Sequence, residues 1–282
     1  MSTVQALLRQ GADLPAESAK RDAEILLCHV LEKPRTWLYT WPEKVIDANH
    51  AQRFAQLLER RRLGEPVAYL TGQRDFWTLS LAVNEHTLIP RPETETLVEW
   101  ALSLSLANES FPAQAAVADL GTGSGAIALA LASERPDWQV CAVDVSERAL
   151  AVAASNAATA GLAQVEFAQS HWFEALQGRR FHLLVSNPPY IDEEDEHLQR
   201  GDVRFEPRTA LVSPQKGLED IQYIVGAAGD YLHDGGMLLL EHGYEQAGAV
   251  RELLLRAGFT AVESRRDLAN IERVTGGVWR AK

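Results

Sequence analysis

The first 70 residues show apolar positions at helical spacing. In residues 19–31 and again in residues 47–63, apolar side chains recur every three or four positions, the second time through Phe54, Leu57 and Leu58. This spacing places them on one face of a helix. Prolines and a Gly-Glu-Pro run separate the two patterns, as in the short connections of helical bundles. We therefore predict a small helical-bundle domain over residues 1–72.

The spacing of apolar positions shortens after residue 72. Phe76, Leu79, Leu81 and Val83 stand among polar residues at a period close to two, which is typical of strands. We predict a two-stranded β-ribbon here and assign residues 73–91 to a linker. Residues 92–282 then form a second domain.

The second domain alternates between strand-like and helix-like segments. After a helix that ends near residue 107, five short apolar segments are predicted as strands, with helical stretches between them: residues 116–120, 139–143, 164–168, 182–186 and 237–241. Such alternation is typical of an α/β domain with a doubly wound, mostly parallel sheet. Residues 260–264 and 274–280 are strand-like without a long helix between them, so we expect an antiparallel hairpin to close the sheet.

Composition narrows the possible partners. The 282 residues are 46% hydrophobic and 23% charged, which suits a folded chain of two domains. The net charge of −12 repels phosphate, so we expect no stable nucleic-acid binding. No apolar stretch is long enough to span a bilayer, and the two cysteines and eight histidines form no metal-binding pattern. We predict a cytoplasmic protein with no membrane contact and no metal.

A glycine-rich loop follows the first predicted strand of the second domain. Its sequence is Gly121-Thr122-Gly123-Ser124-Gly125, and glycine allows sharp turns and close approach of a ligand to the backbone. Asp144 ends the next strand, where a carboxylate can accept hydrogen bonds from both ribose hydroxyls. The arrangement indicates a nucleoside-binding crevice at the carboxyl ends of the strands. An ordinary glycine turn and a nicotinamide-dinucleotide site are the alternatives, although the spacing is GxGxG rather than GxGxxG.

The tetrapeptide Asn187-Pro188-Pro189-Tyr190 follows the strand predicted at residues 182–186. The two prolines stiffen the loop and lack N–H groups, so the loop offers mainly acceptors. Two converging acceptors suit a planar NH2 group, which they can hold and polarise so that its nitrogen can act as a nucleophile. The ring of Tyr190 can pack against that planar group. Adenine, cytosine and the glutamine side chain all present such a group, so the tetrapeptide alone does not choose among them.

The glycine loop resembles the S-adenosylmethionine loop of class I methyltransferases. Over essentially its whole length, the chain resembles the peptide chain release factor glutamine methyltransferases. The resemblance rests on the TLIPRPETE segment of residues 87–95, residues 119–132, the NPPYID segment of residues 187–192 and the closing NIERVT segment of residues 270–275. It implies a Rossmann-like methyltransferase domain with a seven-stranded sheet, preceded by a helical domain that recognises the substrate.

The resemblance also implies roles for individual residues. S-adenosylmethionine would be the cofactor and S-adenosylhomocysteine the product. The residues expected to bind the cofactor are Gly121, Thr122, Gly123, Ser124, Gly125, Asp144, Trp172 near the adenine, and Asn187. The expected catalytic residues are Asn187, Pro188, Pro189 and Tyr190.

The expected reaction is methylation of the side-chain amide nitrogen, N5, of the glutamine in the Gly-Gly-Gln motif of class I release factors. An adenine N6 methyltransferase acting on DNA or RNA is the main alternative, and a non-catalytic cofactor-binding regulator is another. Three further features are ambiguous from sequence. Trp172 also fits a core aromatic, Arg91 and its neighbours fit a helix cap as well as a substrate contact, and the Arg60-Arg61-Arg62 run fits a solvated helix end.

Overall fold

The structure is a computed structural model that describes residues 2–14, 18–107 and 111–281. It contains two compact units. One comprises Met1–Gln73 with Gln199–Phe205, and the other comprises Arg74–Leu198 with Glu206–Lys282. Within the described ranges, no helix combines the length and the apolar character that crossing a membrane requires.

The smaller unit is mainly helical. Its helices are α1 (Val4–Arg9), α2 (Ala19–Leu31), α3 (Arg35–Thr40), α4 (Ala48–Arg62) and α5 (Val67–Thr71). Helices α2 and α4 coincide with the two predicted helical patterns, and Leu26, Leu27, Phe54 and Leu58 are buried in their shared core. The sequence pattern missed a short antiparallel pair, β1 (Ser2–Thr3) with β2 (Val45–Ile46). Strands of two residues are too short to show a period.

The arginine run at the end of α4 is solvated at Arg60 and partly exposed at Arg62, as the sequence favoured, but not at Arg61. The side chain of Arg61 is only 10% exposed and bridges two carboxylates, with Nε 2.8 Å from Asp22 and Nη1 2.7 Å from Asp202. The two carboxylate partners compensate for the cost of removing the Arg61 guanidinium from water. Arg61 therefore ties the segment Gln199–Phe205 to the rest of the smaller unit.

The larger unit is built on a sheet whose order is β10-β11-β9-β8-β5-β6-β7. Its strands are β5 (Ala116–Leu120), β6 (Gln139–Asp144), β7 (Glu166–Gln169), β8 (Phe181–Ser186), β9 (Leu232–Glu241), β10 (Thr260–Arg266) and β11 (Glu272–Val278). Strands β9, β8, β5, β6 and β7 pair in parallel, whereas β11 is antiparallel to both β9 and β10. Among the described residues these seven strands form the predicted mostly parallel sheet with its closing hairpin.

Helices cover both faces of this sheet. They are α6 (Glu95–Ala107), α7 (Ala126–Glu134), α8 (Glu147–Ala160), the single turn α9 (Pro214–Gly217), α10 (Glu219–Tyr231) and α11 (Ala247–Ala257). Because successive strand residues point to opposite faces, Val117 of β5 packs with α6 and α7 whereas Leu120 packs with α10 and α11.

Several predicted elements of the larger unit need correction. Strand β9 begins at Leu232 rather than at residue 237, and β11 spans Glu272–Val278 rather than residues 274–280. The strand predicted at residues 164–168 begins only at Glu166, because α8 ends at Gly161 with φ +72° and a turn follows. In the described chain between β7 and β8 there is no α-helix, only a 3-10 turn at Glu174–Leu176. Residues 170–180, which make this connection, are close to the shortest length that a crossover helix requires.

The ribbon consists of β3 (Gln73–Phe76) and β4 (Leu79–Ala82), which pair with each other. Asn156 of α8 joins it to the glycine loop. The Asn156 side chain accepts a hydrogen bond from Ala82 N at 2.7 Å and donates to Ala82 O at 3.0 Å and to Ser124 O at 2.9 Å. One buried amide therefore satisfies backbone groups of both β4 and the loop.

We expect Asn156→Ala to lower the free energy of unfolding by about 2–4 kcal/mol, because it leaves buried backbone groups without partners. Ser155→Ala, at the exposed neighbouring position on the same helix, is the matched control and should change stability by less than about 0.5 kcal/mol. Urea denaturation of the full chain measures both values. Equal stability of the two variants would contradict the structural role of Asn156.

Candidate functional site

The site lies where three neighbouring parallel strands end. Strands β8, β5 and β6 are adjacent and point the same way, so the residues that follow Ser186, Leu120 and Asp144 meet at one edge of the sheet. A cavity of about 190 Å3 opens at that edge, within the larger unit. Of the predicted site residues, those that line it are Gly121, Gly123, Asp144, Trp172, Asn187 and Pro189.

The glycine loop presents bare backbone to the cavity. Gly121, Gly123 and Gly125 have φ values of +76°, +57° and +86°, which favour glycine. A Cβ atom at Gly121 would lie 3.3 Å from the ring of Trp172, whereas one at Gly125 would meet Leu129 at 3.0 Å. Gly121 therefore keeps the cavity open, and Gly125 allows α7 to pack closely.

Thr122, Ser124 and Gly125 shape the loop and, among the described residues, are not part of the cavity wall. Thr122 Oγ1 donates to Asp119 Oδ2 at 2.6 Å, and Ala128 N donates to the same oxygen at 3.2 Å. Asp119 is fully buried, and burial raises the pKa of its carboxyl group to about 7. The carboxyl group thus ties the loop to the first turn of α7.

Asp144 stands at the end of β6, as predicted. Its Oδ2 accepts a hydrogen bond from Gly123 N and its Oδ1 accepts one from Ser146 N, both at 2.9 Å. Each carboxylate oxygen has a second lone pair beyond these bonds. Burial raises the pKa of this carboxyl group, and the two backbone donors oppose that effect. Asp144 therefore lies in the cavity wall with capacity for further donors.

Asn187 has a side-chain oxygen without a partner. Its Nδ2 donates to Thr94 Oγ1 at 3.2 Å. Its Oδ1 is buried and has no hydrogen-bond partner within the described parts of the chain. Since buried polar atoms are normally paired, this oxygen at the cavity is a candidate contact for a ligand donor.

The other three residues of the tetrapeptide differ in their contact with the cavity. Pro189 lines the cavity, whereas Pro188 and Tyr190 are not part of its wall as far as the described residues show. The hydroxyl of Tyr190 donates to Glu241 Oε1 at 3.4 Å. Glu241 is 1% exposed, and burial raises the pKa of its carboxyl group to about 7.

Trp172 lies in the cavity wall beside Gly121 of the glycine loop and has a φ of +51°. Ser170 fixes this turn, because its hydroxyl donates to Trp172 O at 3.0 Å and accepts from Ala175 N at 2.9 Å. The ring is packed at the edge of the core and also faces the cavity. Both sequence interpretations of Trp172 therefore describe part of its surroundings.

Three contacts at this edge were missed from the sequence. Arg91 occupies the N-cap of the 3-10 turn Pro92–Thr94, as one sequence interpretation expected, but its side chain makes no cap hydrogen bond. Instead it is paired with the buried carboxylate of Glu206, which also accepts from Ile89 N at 2.9 Å. Thr94 contacts Asn187, and Glu241 lies beneath Tyr190. The one signal available from sequence was the position of Glu241 at the end of a predicted strand, since carboxyl ends of parallel strands converge.

No group of three or more His, Cys, Asp or Glu side chains able to hold a metal occurs in the part of the chain that the structure describes.

The parallel sheet, the glycine loop and the NPPY tetrapeptide together define a Rossmann-like class I methyltransferase. Family models agree. The family model of the PrmC N-terminal domain matches residues 5–72, and the family model of the methyltransferase small domain matches residues 101–203.

Curated relatives identify the family. A release factor glutamine methyltransferase of Pseudomonas aeruginosa is 52% identical over 99% of this chain and 99% of its own length. The proteins of that name from Shewanella oneidensis and Escherichia coli are 52% and 51% identical, covering 94% and 93% of this chain and 91% and 93% of their own lengths. The chain belongs to the release factor glutamine methyltransferase family.

Solved structures share the fold at low sequence identity. A methyltransferase from Pyrococcus furiosus is 15% identical with a TM-score of 0.54, covering 83% of this chain and 100% of its own. The 16S rRNA N2 G1207 methyltransferase of T. thermophilus, solved with AdoMet and guanosine, is 20% identical with a TM-score of 0.53, covering 74% and 50%.

The buried carboxyl group of Asp119 predicts a pH effect on stability. In the unfolded chain this group ionises near its ordinary pKa of 3.8, and in the folded protein burial raises its pKa to about 7. Between these values folding takes up a proton, so the contribution of Asp119 to stability falls as pH rises. Asp119→Asn keeps an oxygen for Thr122 and Ala128 and removes the charge. Its melting temperature relative to the native protein should therefore rise between about pH 4 and pH 7.

Thermal unfolding at a series of pH values measures this difference. The control is Asp137→Asn, because the side chain of Asp137 is 44% exposed. A difference between Asp119→Asn and the native chain that stays constant with pH would show that the buried carboxyl group does not titrate in this range.

Proposed function

We propose that this chain transfers a methyl group from S-adenosylmethionine to the side-chain amide nitrogen, N5, of the glutamine in the Gly-Gly-Gln motif of class I peptide chain release factors. The buried Oδ1 of Asn187, which has no hydrogen-bond partner among the residues that the structure describes, is the observation that carries the proposal. The names of the curated relatives support the choice of substrate. The product derived from the cofactor is S-adenosylhomocysteine.

The residues at the cavity fit S-adenosylmethionine. Gly121 and Gly123 expose backbone beside which the amino-acid part can lie, and the carboxylate of Asp144 has free lone pairs for the ribose hydroxyls. Trp172 offers an aromatic face for the adenine. Thr122, Ser124 and Gly125 keep the loop in shape, and Asn187 borders both ligands. When bound, the cofactor supplies an electrophilic methyl group on a sulfonium.

Asn187 and the proline-rich loop hold the substrate amide. The Oδ1 of Asn187 accepts one N–H of the glutamine NH2 group, and a backbone carbonyl of the Pro188-Pro189 segment accepts the other. These bonds fix the plane of the amide and increase electron density on nitrogen, whose lone pair is otherwise delocalised. The hydroxyl of Tyr190 donates a hydrogen bond to Glu241, which anchors the loop to the end of β9. The site aligns the nitrogen for in-line attack.

The proposed reaction needs neither a strong base nor a metal. A methylated amide nitrogen is strongly acidic and loses its extra proton to water. The sulfonium carbon is already electrophilic, so no Lewis acid is required. The protein's contribution is therefore orientation and polarisation of the amide.

We further propose that residues 1–72 recognise the release factor, that residues 73–91 link the domains, and that residues 92–282 carry catalysis. The acidic excess lies after residue 85, in the catalytic part of the chain, and suits a substrate that works against ribosomal RNA and is therefore locally basic. Binding to the release factor should weaken as salt rises. Stable binding to nucleic acid is not part of the proposal.

The reaction is tested by incubating a recombinant class I release factor with the protein and S-adenosylmethionine. Mass spectrometry should find one added methyl group, located on the Gly-Gly-Gln glutamine. A factor with that glutamine replaced is the control and should remain unmodified. Methylation of adenine-containing oligonucleotides, with none on the release factor, would overturn the substrate assignment while leaving an NH2-binding pocket.

The assigned roles of Asn187 and Asp144 are separable. Asn187→Ala removes the amide acceptor and should abolish turnover while weakening cofactor binding only slightly. Asp144→Ala removes the ribose acceptor and should raise the cofactor Kd by about 10-fold or more, given about 1.5–3 kcal/mol for hydrogen bonds to a charged group. Isothermal titration calorimetry with S-adenosylmethionine measures the cofactor Kd of both variants, and mass spectrometry of the release factor measures turnover. Equal loss of cofactor affinity in the two variants would contradict these roles.

A further inference from the structure

The single turn α9 is left-handed. Gln215, Lys216 and Gly217 have φ values of +55°, +59° and +75°. This conformation is costly for residues with a Cβ atom and normally occurs at single positions. Three in succession persist only where the surrounding structure holds them, and such strained segments cluster at functional sites. Within the described chain, none of the three residues is part of the cavity wall.

Gln246, at the start of α11, holds this turn against the tetrapeptide. Its Nε2 donates to Tyr190 O and to Lys216 O, both at 3.0 Å. Its Oε1 accepts from Gly243 N at 2.8 Å, which leaves the NH2 group on the side of the carbonyls. One amide therefore joins the end of the tetrapeptide, the left-handed turn and the loop after β9.

Gly217 packs directly against the backbone of Tyr190. A Cβ atom at Gly217 would lie 2.0 Å from Tyr190 O and 2.8 Å from Gln246 Nε2. Atoms that are not bonded do not approach so closely, so a side chain here would displace the Tyr190 carbonyl, the Gln246 amide or both. Both the φ value and the available space therefore require glycine at this position.

The two prolines make the position of the tetrapeptide depend on its ends. Neither Pro188 nor Pro189 has an N–H group to donate, and their rings restrict rotation of the backbone. A stiff segment of this kind is placed by the residues on either side of it. On one side Asn187 directly follows β8, and on the other the carbonyl of Tyr190 accepts from Gln246.

We propose that Gln246 and the left-handed turn α9 hold the carbonyl of Tyr190 and thereby position the Pro188-Pro189 segment against the substrate NH2 group. The assignment rests on the proposed function, in which a carbonyl of that segment accepts one hydrogen of the glutamine amide. A displaced Tyr190 would carry Pro189 with it. The carboxylate of Asp144 and the glycine loop keep their own bonds, so alignment of the substrate would suffer and cofactor binding would not.

Gly217→Ala is the first test, and Gly178→Ala is its matched control. Gly178 has a φ of +77°, and an added Cβ atom there would meet no atom within 4 Å. Both substitutions place alanine in a left-handed conformation, and only the one at Gly217 meets Tyr190. We expect Gly217→Ala to lower kcat for release factor methylation by about 10-fold or more, because small misplacements of reacting groups slow catalysis.

Gly178→Ala should retain kcat, and the Kd for S-adenosylmethionine should be unchanged in both variants. Isothermal titration calorimetry measures this Kd, and mass spectrometry of the release factor measures turnover. Equal kcat in the two variants would overturn the proposal. A rise in the cofactor Kd of Gly217→Ala that matches its loss of kcat would also overturn it, because general damage to the site would then explain both.

Gln246→Glu is an independent test, which also applies if Gly217→Ala does not fold. It keeps the shape of the side chain and the acceptor for Gly243, but its ionised carboxylate has no hydrogen to give to Tyr190 O. We expect a loss of kcat similar to that of Gly217→Ala, again with an unchanged cofactor Kd. Gln139→Glu adds the same charge at the exposed start of β6 and should keep full activity. Full activity in Gln246→Glu would contradict the proposal.

The double variant Gly217→Ala/Gln246→Glu tests whether the two changes act through the same carbonyl. If both act by displacing Tyr190, the loss of kcat in the double variant should be little larger than the greater of the two single losses. Losses that multiply would show that the two positions act separately, and the proposed common role would be wrong.

A measurement without substrate separates this inference from the proposed function. In the native protein labelled with 15N-glutamine, the side-chain NH2 of Gln246 should exchange slowly with water, because it is bonded to backbone carbonyls. Its signals are identified by their absence in Gln246→Glu, and in Gly217→Ala they should exchange faster. Slow exchange in the native chain without any release factor methylation would overturn the proposed function and retain the anchoring of Tyr190. Methylation together with equal exchange in the native protein and Gly217→Ala would overturn the anchoring alone.

Discussion

The parallel pairing of β8, β5 and β6 is the constraint on which the site depends. Leu120 of β5 pairs with Ser186 on one side and with Val143 on the other, so the residues that leave these strands start from the same edge. The glycine loop, Asp144 and Asn187 are distant in sequence and become neighbours through this register. A shift of one residue in any strand would turn these groups to the other face of the sheet.

Two buried carboxyl groups hold the loops at this edge of the sheet in place. Asp119 holds the glycine loop through Thr122 and the first turn of α7, and Glu241 accepts a hydrogen bond from the hydroxyl of Tyr190. Burial raises the pKa of both carboxyl groups to about 7, which reflects the cost of removing them from water. At Asp119, one carboxyl oxygen accepts from both Thr122 and Ala128 and so links the loop to the helix.

The local pattern of apolar and polar residues predicted the helices and strands. It did not predict contacts between residues that are distant in the sequence. The predicted strand at residues 116–120 coincides with β5, because its buried apolar residues are bounded by a glycine loop. The contact between Thr94 and Asn187 joins residues 93 positions apart, and no periodicity encodes it. The burial of Arg61 likewise depends on Asp202, which is 141 positions away. The two-residue strands β1 and β2 show no period at all.

The chemistry of the tetrapeptide limits what the cavity alone can select. The Oδ1 of Asn187 can accept a hydrogen from any planar NH2 group. Under the proposed function, the choice of one glutamine therefore depends on contacts outside the cavity that bring a particular protein loop to it. Residues 5–72 match a family model of their own, separate from the methyltransferase model at residues 101–203. A recognition unit distinct from the chemical site is what an unselective amide pocket requires.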